Sequence, residues 1–129
     1  MKIQSLALVL LAAASFTACN SIPSHPTMLA NDVVTGSNGM TLYVFDKDVA
    51  GSGKSVCNGP CAANWPPLIA SDFAVSSEGG SNDLTLIKRD DGKQQWALKG
   101  KPLYYWAKDQ KPGDKTGDGF NNVWHVAKP

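Results

Sequence analysis

Several things that commonly announce a function are absent from this chain. No stretch of three helical turns keeps a 3.6-residue apolar period, so a helical bundle is excluded. There is no surplus of charge: the chain carries +1 overall, and removal of Lys2 with the leader brings it to zero. That leaves no basic field to hold nucleic acid. The one long apolar run, Ile3 to Ala14, is shorter than the roughly 20 residues a spanning helix needs and is interrupted by Gln4 and Ser5. No Gly-x-Ser-x-Gly, zinc-protease helix, haem Cys-x-x-Cys-His or paired-glutamate constellation occurs.

What is present begins with an export leader. Lys2 precedes the apolar run, which closes in the small residues Ser15-Phe16-Thr17-Ala18 before Cys19. Phe16-Thr17-Ala18-Cys19 resembles the bacterial lipobox, which implies a signal peptide over 1–18 and a lipidated Cys19 that holds the protein to a membrane it does not cross. Each buried acyl methylene contributes about 0.8 kcal/mol to such an anchor. Asn20 is not the Asp that retains lipoproteins at an inner membrane, so the resemblance implies the periplasmic face of the outer membrane in a Gram-negative cell. Residues 19–30, with Pro23, Pro26, Ser21 and Ser24, read as a flexible tether. The remainder, 31–129, is one domain's worth of chain.

With Cys19 assigned to lipid, Cys57 and Cys61 are left as an even pair in an oxidising compartment and are expected to form a disulfide. Closing so short a loop constrains the unfolded chain by about 2 kcal/mol. Two competitors are a metal pair completed by His125 and redox chemistry, for which the spacing is one residue longer than Cys-x-x-Cys.

The body alternates short apolar runs with clusters of Gly, Asn and Asp, which is the pattern of an all-β, antiparallel domain. Strands are expected over Asp32–Thr35, Met40–Phe45, Leu84–Lys88, Gln95–Leu98, Leu103–Trp106 and Val123–Ala127. Turns are expected at Gly36–Gly39, Asp90–Gly92 and Lys99–Lys101. Pro60 is placed to open one short helical turn through Asn64, which Pro66 and Pro67 would stop.

The chain also repeats itself. Leu42-Tyr-Val-Phe-Asp-Lys-Asp48 recurs as Leu103-Tyr-Tyr-Trp-Ala-Lys-Asp109, each followed by a Gly-rich loop and a Trp (Trp65, Trp124). The repeats run over about 31–70 and 84–127, each a hairpin, an aromatic strand, an Asp, a loop and a Trp. With Tyr43, Phe45 and Asp48 matched by Tyr104, Trp106 and Asp109, and with CNGPCAANWPPL and GKPLYYWAKDQKPGDKTGDG around them, the chain resembles the bacterial secreted and lipoprotein repeat family named for its Tyr-x-(Phe/Trp/Tyr)-x-x-Asp motif. That family has no assigned role, so the resemblance implies a fold and an address without a catalytic mechanism.

Strand alternation sends Tyr43 with Phe45, and Tyr104 with Trp106, to one face, and Leu42, Val44, Leu103 and Tyr105 to the other. On the plainer reading the rings fill a core while the hydroxyls and carboxylates satisfy backbone at its rim. On the sharper one, Tyr43, Tyr104, Asp48 and Asp109 gather in an open cleft to hold a cation or polar ligand. Asp114, Thr116, Asp118 and Gly119 also sit at the first, third, fifth and sixth places of a calcium loop, although the twelfth place holds His125 rather than Glu. Ca²⁺ is therefore the one cofactor entertained.

Asp48 to Ser55 falls short of a phosphate-binding loop because Asp48 replaces the first Gly. His125, next to inward Trp124, is expected to face outward. The leading expectation is a non-enzymatic binding or interaction module with envelope-protein or cell-wall partners. A divalent-cation or small-ligand binder is the alternative, and an enzyme using Asp109, Asp114, Asp118 and His125 is a third reading. The sequence carries no indication of oligomeric state.

Overall fold

The computed structural model describes residues 12–13, 26–70 and 83–129. Apart from residues 12–13, the expected signal peptide lies outside the described residues, as do the lipidation site Cys19 and most of the tether. The last part of the expected tether does not behave as one: Thr27–Ala30 forms strand β1, paired antiparallel with β2 (Val33–Gly36). The hairpin exists because Asn31 and Asp32 both take left-handed φ, 51° and 62°. Asn and Asp tolerate that region better than other side chains, and two such residues make the tight turn that matches strand twist. Asp32, expected to start a strand, is thus the second residue of a turn.

The other elements are β3 (Tyr43–Phe45), α1 (Pro60–Asn64), β4 (Leu84–Lys88), β5 (Gln94–Leu98), β6 (Lys101–Pro102), a 3-10 turn (Phe120–Asn122) and β7 (Trp124–Val126). Every sheet is antiparallel: β1 with β2, β3 with β7, and β4-β5-β6 in order. The fold is all-β with one short helix. α1 occupies the five residues that Pro60 and the later prolines delimit. The Lys99–Gly100 turn between β5 and β6 needs its glycine, since φ is +80° and a Cβ would stand 2.6 Å from the Gly51 amide nitrogen.

Two expected strands are shorter than their patterns. Of Met40–Phe45 only Tyr43–Phe45 is continuous, with Thr41 reaching Thr35 through a single bridge. Leu103–Trp106 forms no strand of its own; Tyr104 bridges Tyr43 on one side and Pro67 on the other. Its neighbour on that side is Pro66-Pro67, and proline has no N–H to give a ladder. The pairing survives through what the prolines leave: Tyr105 N donates to Pro66 O (2.7 Å), Leu68 N to Leu103 O (3.0 Å) and Ala107 N to Asn64 O (2.9 Å).

These bonds show how the repeats combine. The motif segment of repeat two pairs with the end of repeat one, and the motif strand of repeat one, β3, pairs with the end of repeat two, β7. Ala127 N to Leu42 O (2.8 Å) matches Leu68 N to Leu103 O, and Asp46 N to Val123 O (2.8 Å) matches Ala107 N to Asn64 O. Tyr43 and Tyr104 exchange both backbone bonds, at 2.7 and 3.0 Å, so an approximate two-fold passes between them. The repeats are interlocked.

Alternation along the motif segments sorts side chains into two cores. Tyr43, Tyr104, Trp106, Trp65, Trp124, Val33, Val126 and Cys57 form one, with Phe45 packed against it. Leu42, Leu103, Leu68, Ala127, Val34, Ala70 and Trp96 form the other, with Val44 and Tyr105 against it. In the first, Phe45, Trp124, Trp65 and Trp106 make a column with ring centroids 4.2, 3.8 and 4.0 Å apart. The equivalent pair Trp65 and Trp124 lies at its centre, close to parallel at 3°. Gly117 lets the loop close over it, since a Cβ there would come within 2.6 Å of the Trp65 ring.

Because each repeat's motif segment finds its strand partner in the other, neither should fold as a monomer. Fragments 26–70 and 83–129 are each expected to give an unfolded far-ultraviolet spectrum, and to recover the native spectrum as a one-to-one complex when mixed. A cooperative thermal transition in either isolated monomeric fragment would contradict the interlocked arrangement.

Candidate functional site

The spacing within the motif is explained by a turn. Asp48 N donates to Phe45 O (3.0 Å) and Asp109 N to Trp106 O (3.1 Å), so each extended motif segment ends on its second aromatic and the chain turns back into Asp. Each carboxylate is thereby swung inward beside the segment it ended. Its tyrosine partner, however, is the one in the other repeat.

Tyr43 Oη donates to Asp109 Oδ2 at 2.6 Å, and Tyr104 Oη donates to Asp48 Oδ2 at 2.5 Å. The other oxygen of each Asp holds the loop that follows. Asp48 Oδ1 accepts from Val56 N (2.7 Å), and Asp109 Oδ1 accepts from Thr116 N (3.1 Å) and Thr116 Oγ1 (2.5 Å). Both Tyr are fully buried, Asp48 and Asp109 are 8% and 9% exposed, and among the described residues no open cleft joins the four. They meet at the seam between repeats as the sharper expectation required, but inside it. The geometry is that of crossed ties.

One tie carries an extension. Ser55 Oγ lies 2.6 Å from Tyr104 Oη, Arg89 Nη1 donates to Ser55 Oγ (3.0 Å) and to Gln95 Oε1 (2.7 Å), and Gln95 Nε2 donates to Leu103 O (2.7 Å). Arg89 Nη2 donates to Cys57 O (2.6 Å) and Asn58 Oδ1 (3.2 Å). Arg89 is 4% exposed, and its guanidinium links β4 to the disulfide loop. Sequence reasoning missed Ser55, Arg89 and Gln95. The usable signal was that Arg89 is the only arginine in the chain, placed where an ordinary turn charge would be lysine. Cys57 and Cys61 are joined, with S–S 2.05 Å.

The remaining candidates serve turns. Asp114 Oδ2 accepts from Gln110 N (2.9 Å) and Lys111 N (3.2 Å), and Asp118 Oδ1 accepts from Val126 N (3.0 Å). Thr116 is committed to Asp109. Among the described residues no three His, Cys, Asp or Glu side chains converge as a metal site would require. His125 is half-buried on β7 and pairs through Nε2 with Asp46 Oδ2 at 2.7 Å, rather than with Asp109, Asp114 or Asp118. No helix among the described residues is long and apolar enough to cross a membrane.

Burial first, then the neighbouring carboxylate, raises both tyrosine hydroxyls well above their ordinary range. Burial also raises Asp48, against the opposing effects of Tyr104, the Val56 amide and Arg89.

Three outcomes are expected. A double-mutant cycle in urea should give about 1–3 kcal/mol of coupling between Tyr43→Phe and Asp109→Asn, and near zero between Tyr43→Phe and Asp48→Asn. Coupling that follows the repeat rather than the crossing would refute the tie. Second, the folded tyrosines keep protons that the unfolded chain loses from about pH 10, so stability is whole below that pH and falls as pH rises beyond it. The fall in melting temperature above pH 10 should be shallower in Tyr43→Phe/Tyr104→Phe. Third, a raised Asp48 contributes most when protonated, so the stability lost in Asp48→Asn should shrink as pH rises from about 4 towards neutrality. A penalty that grows over that range would reverse the assigned direction.

Residues 32–69 and 85–128 each match a protein family described as a secreted repeat of unknown function, and each match contains one complete motif, its loop and its Trp. Comparison with curated proteins and with solved structures returns no match. Two tandem matches, which together cover more than half the sequence and share an interlocked core, make this chain a member of that family of secreted repeats.

Proposed function

We propose that the protein is a lipid-anchored component of the cell envelope, at the periplasmic face of the outer membrane where the cell is Gram-negative. Its β domain works as a non-enzymatic binding or structural module for envelope proteins or cell-wall polymers. One observation carries the non-enzymatic part: the motif's hydroxyls and carboxylates are spent on bonds across the seam, at exposures of 9% or less, so the repeated residues have a structural task that accounts for them. Membership of a secreted family and the Phe16-Thr17-Ala18-Cys19 stretch support the address.

The anchor is tested by metabolic labelling. Radiolabelled palmitate should enter the wild-type protein and fail to enter Cys19→Ser, and absence of label from the wild type would sink the anchor. The module reading is tested by cross-linking in intact envelopes. Tyr43→Phe, grown at a temperature where it stays folded, should form the same cross-links as the wild type, because it alters only the interior. A folded variant that loses them would make the motif itself the contact surface.

A further inference from the structure

The two-fold relation allows one half of the molecule to be compared with the other. Val34 N bonds Ala127 O (3.0 Å) as Trp96 N bonds Leu68 O (2.9 Å), so Val34 is equivalent to Trp96 and the hairpin β1-β2 to β4-β5. Leu29 opposes Val34 and Leu86 opposes Trp96, which makes Leu29 the counterpart of Leu86. Leu86 is half-buried against the second core, whereas Leu29 is 64% exposed and its neighbour Met28 54%. The same strand position is packed in repeat two and bare in repeat one.

Met28 and Leu29 border an apolar cavity of about 160 Å³ with Val34, Leu84, Leu98 and Pro129. Leu98 and Pro129 are shared with an adjoining groove of about 390 Å³, on whose wall stand Lys99, Lys101 and Lys128. The acids on these walls are Asp83 and Asp46, and Asp46 is paired with His125. Bare apolar side chains beside lysines are the composition of a surface that enters a lipid interface while its cations meet phosphate. The position of β1 in the chain identifies the occupant. Seven residues lie between Cys19 and Thr27, a reach of under about 30 Å even fully extended.

We infer that this face, Met28 and Leu29 with Lys99, Lys101 and Lys128, is a membrane-docking surface that lays the domain against the anionic leaflet carrying its anchor. The inference deepens the anchored reading and rests on it for the choice of occupant.

The test uses the mature chain without its lipid, Asn20 to Pro129, which holds every described element of the fold, in sedimentation with vesicles of phosphatidylethanolamine and phosphatidylglycerol at low salt. The wild type should bind. Met28→Asp/Leu29→Asp and Lys99→Glu/Lys101→Glu/Lys128→Glu should each weaken binding at least tenfold with unchanged melting temperature. Val56→Asp, at an exposed apolar residue on the disulfide loop, should bind as the wild type does. No binding by the wild type, or equal loss in Val56→Asp, would overturn the surface. So would loss in the lysine variant alone together with equal affinity for soluble polyphosphate, which would assign the groove to a soluble polyanion. Palmitate labelling reads only the anchor, so a labelled protein whose lipid-free chain ignores vesicles would refute the docking face and leave the anchored reading standing.

Discussion

A buried hydroxyl and a buried carboxylate are each costly without a partner, and here each tyrosine hydroxyl finds its carboxylate in the other repeat. Tyr43 meets Asp109 and Tyr104 meets Asp48 inside a core from which water is excluded. Removing one member leaves the other desolvated, a cost of about 1–3 kcal/mol for a neutral group and more for a charged one. That penalty falls on any arrangement in which the halves separate or pair out of register. The crossing therefore does what a longer hydrophobic interface would otherwise have to do, and it does so in strands of only two to five residues.

The ties also govern the loops, and the two repeats hold theirs by different means. In repeat two, Asp109 takes both the amide and the hydroxyl of Thr116, and Gly117 then passes flat against Trp65. In repeat one, Asp48 takes only the Val56 amide, and the loop is secured instead by the Cys57–Cys61 bridge and by Arg89 donating to Cys57 O. A buried guanidinium must be satisfied by several acceptors. Ser55, Gln95, Cys57 and Asn58 supply them, which is why the disulfide loop is tied to β4 as well as to the motif.

Local physics made much of this readable from the amino acids. Strand alternation placed Leu42 and Leu103 opposite Tyr43 and Tyr104, and the two cores divide along that line. Pro60 delimited the helix, and the Gly-containing turns fell where φ had to be positive. What escaped was non-local or conditional. A tyrosine two residues ahead of a turn gives no sign of which aspartate it will meet, because the choice is made by sheet pairing across 66 and 56 residues of chain. The failure of Leu103–Trp106 to extend as a strand depends on its neighbours being Pro66 and Pro67, a fact about the partner rather than the segment. Arg89 looked like any turn charge until β4 was seen to end over the disulfide loop.

The internal comparison divides the residues into those the fold requires and those it does not. Positions kept in both halves, the leucines, tyrosines, second aromatics, aspartates and tryptophans, are all interior and are all explained by packing or by the ties. Interior differences between the halves go with the different means of holding the two loops, Arg89 and the Cys57–Cys61 bridge in one and Thr116 in the other. His125 and Asp46 pair on the surface where the other half has Pro66 and Ala107, and Leu29 is bare where Leu86 is half-buried. These two surface departures line adjoining pockets around β1, β7 and the β5-β6 turn. Function in a duplicated domain of this kind is most economically sought in what the duplication did not preserve.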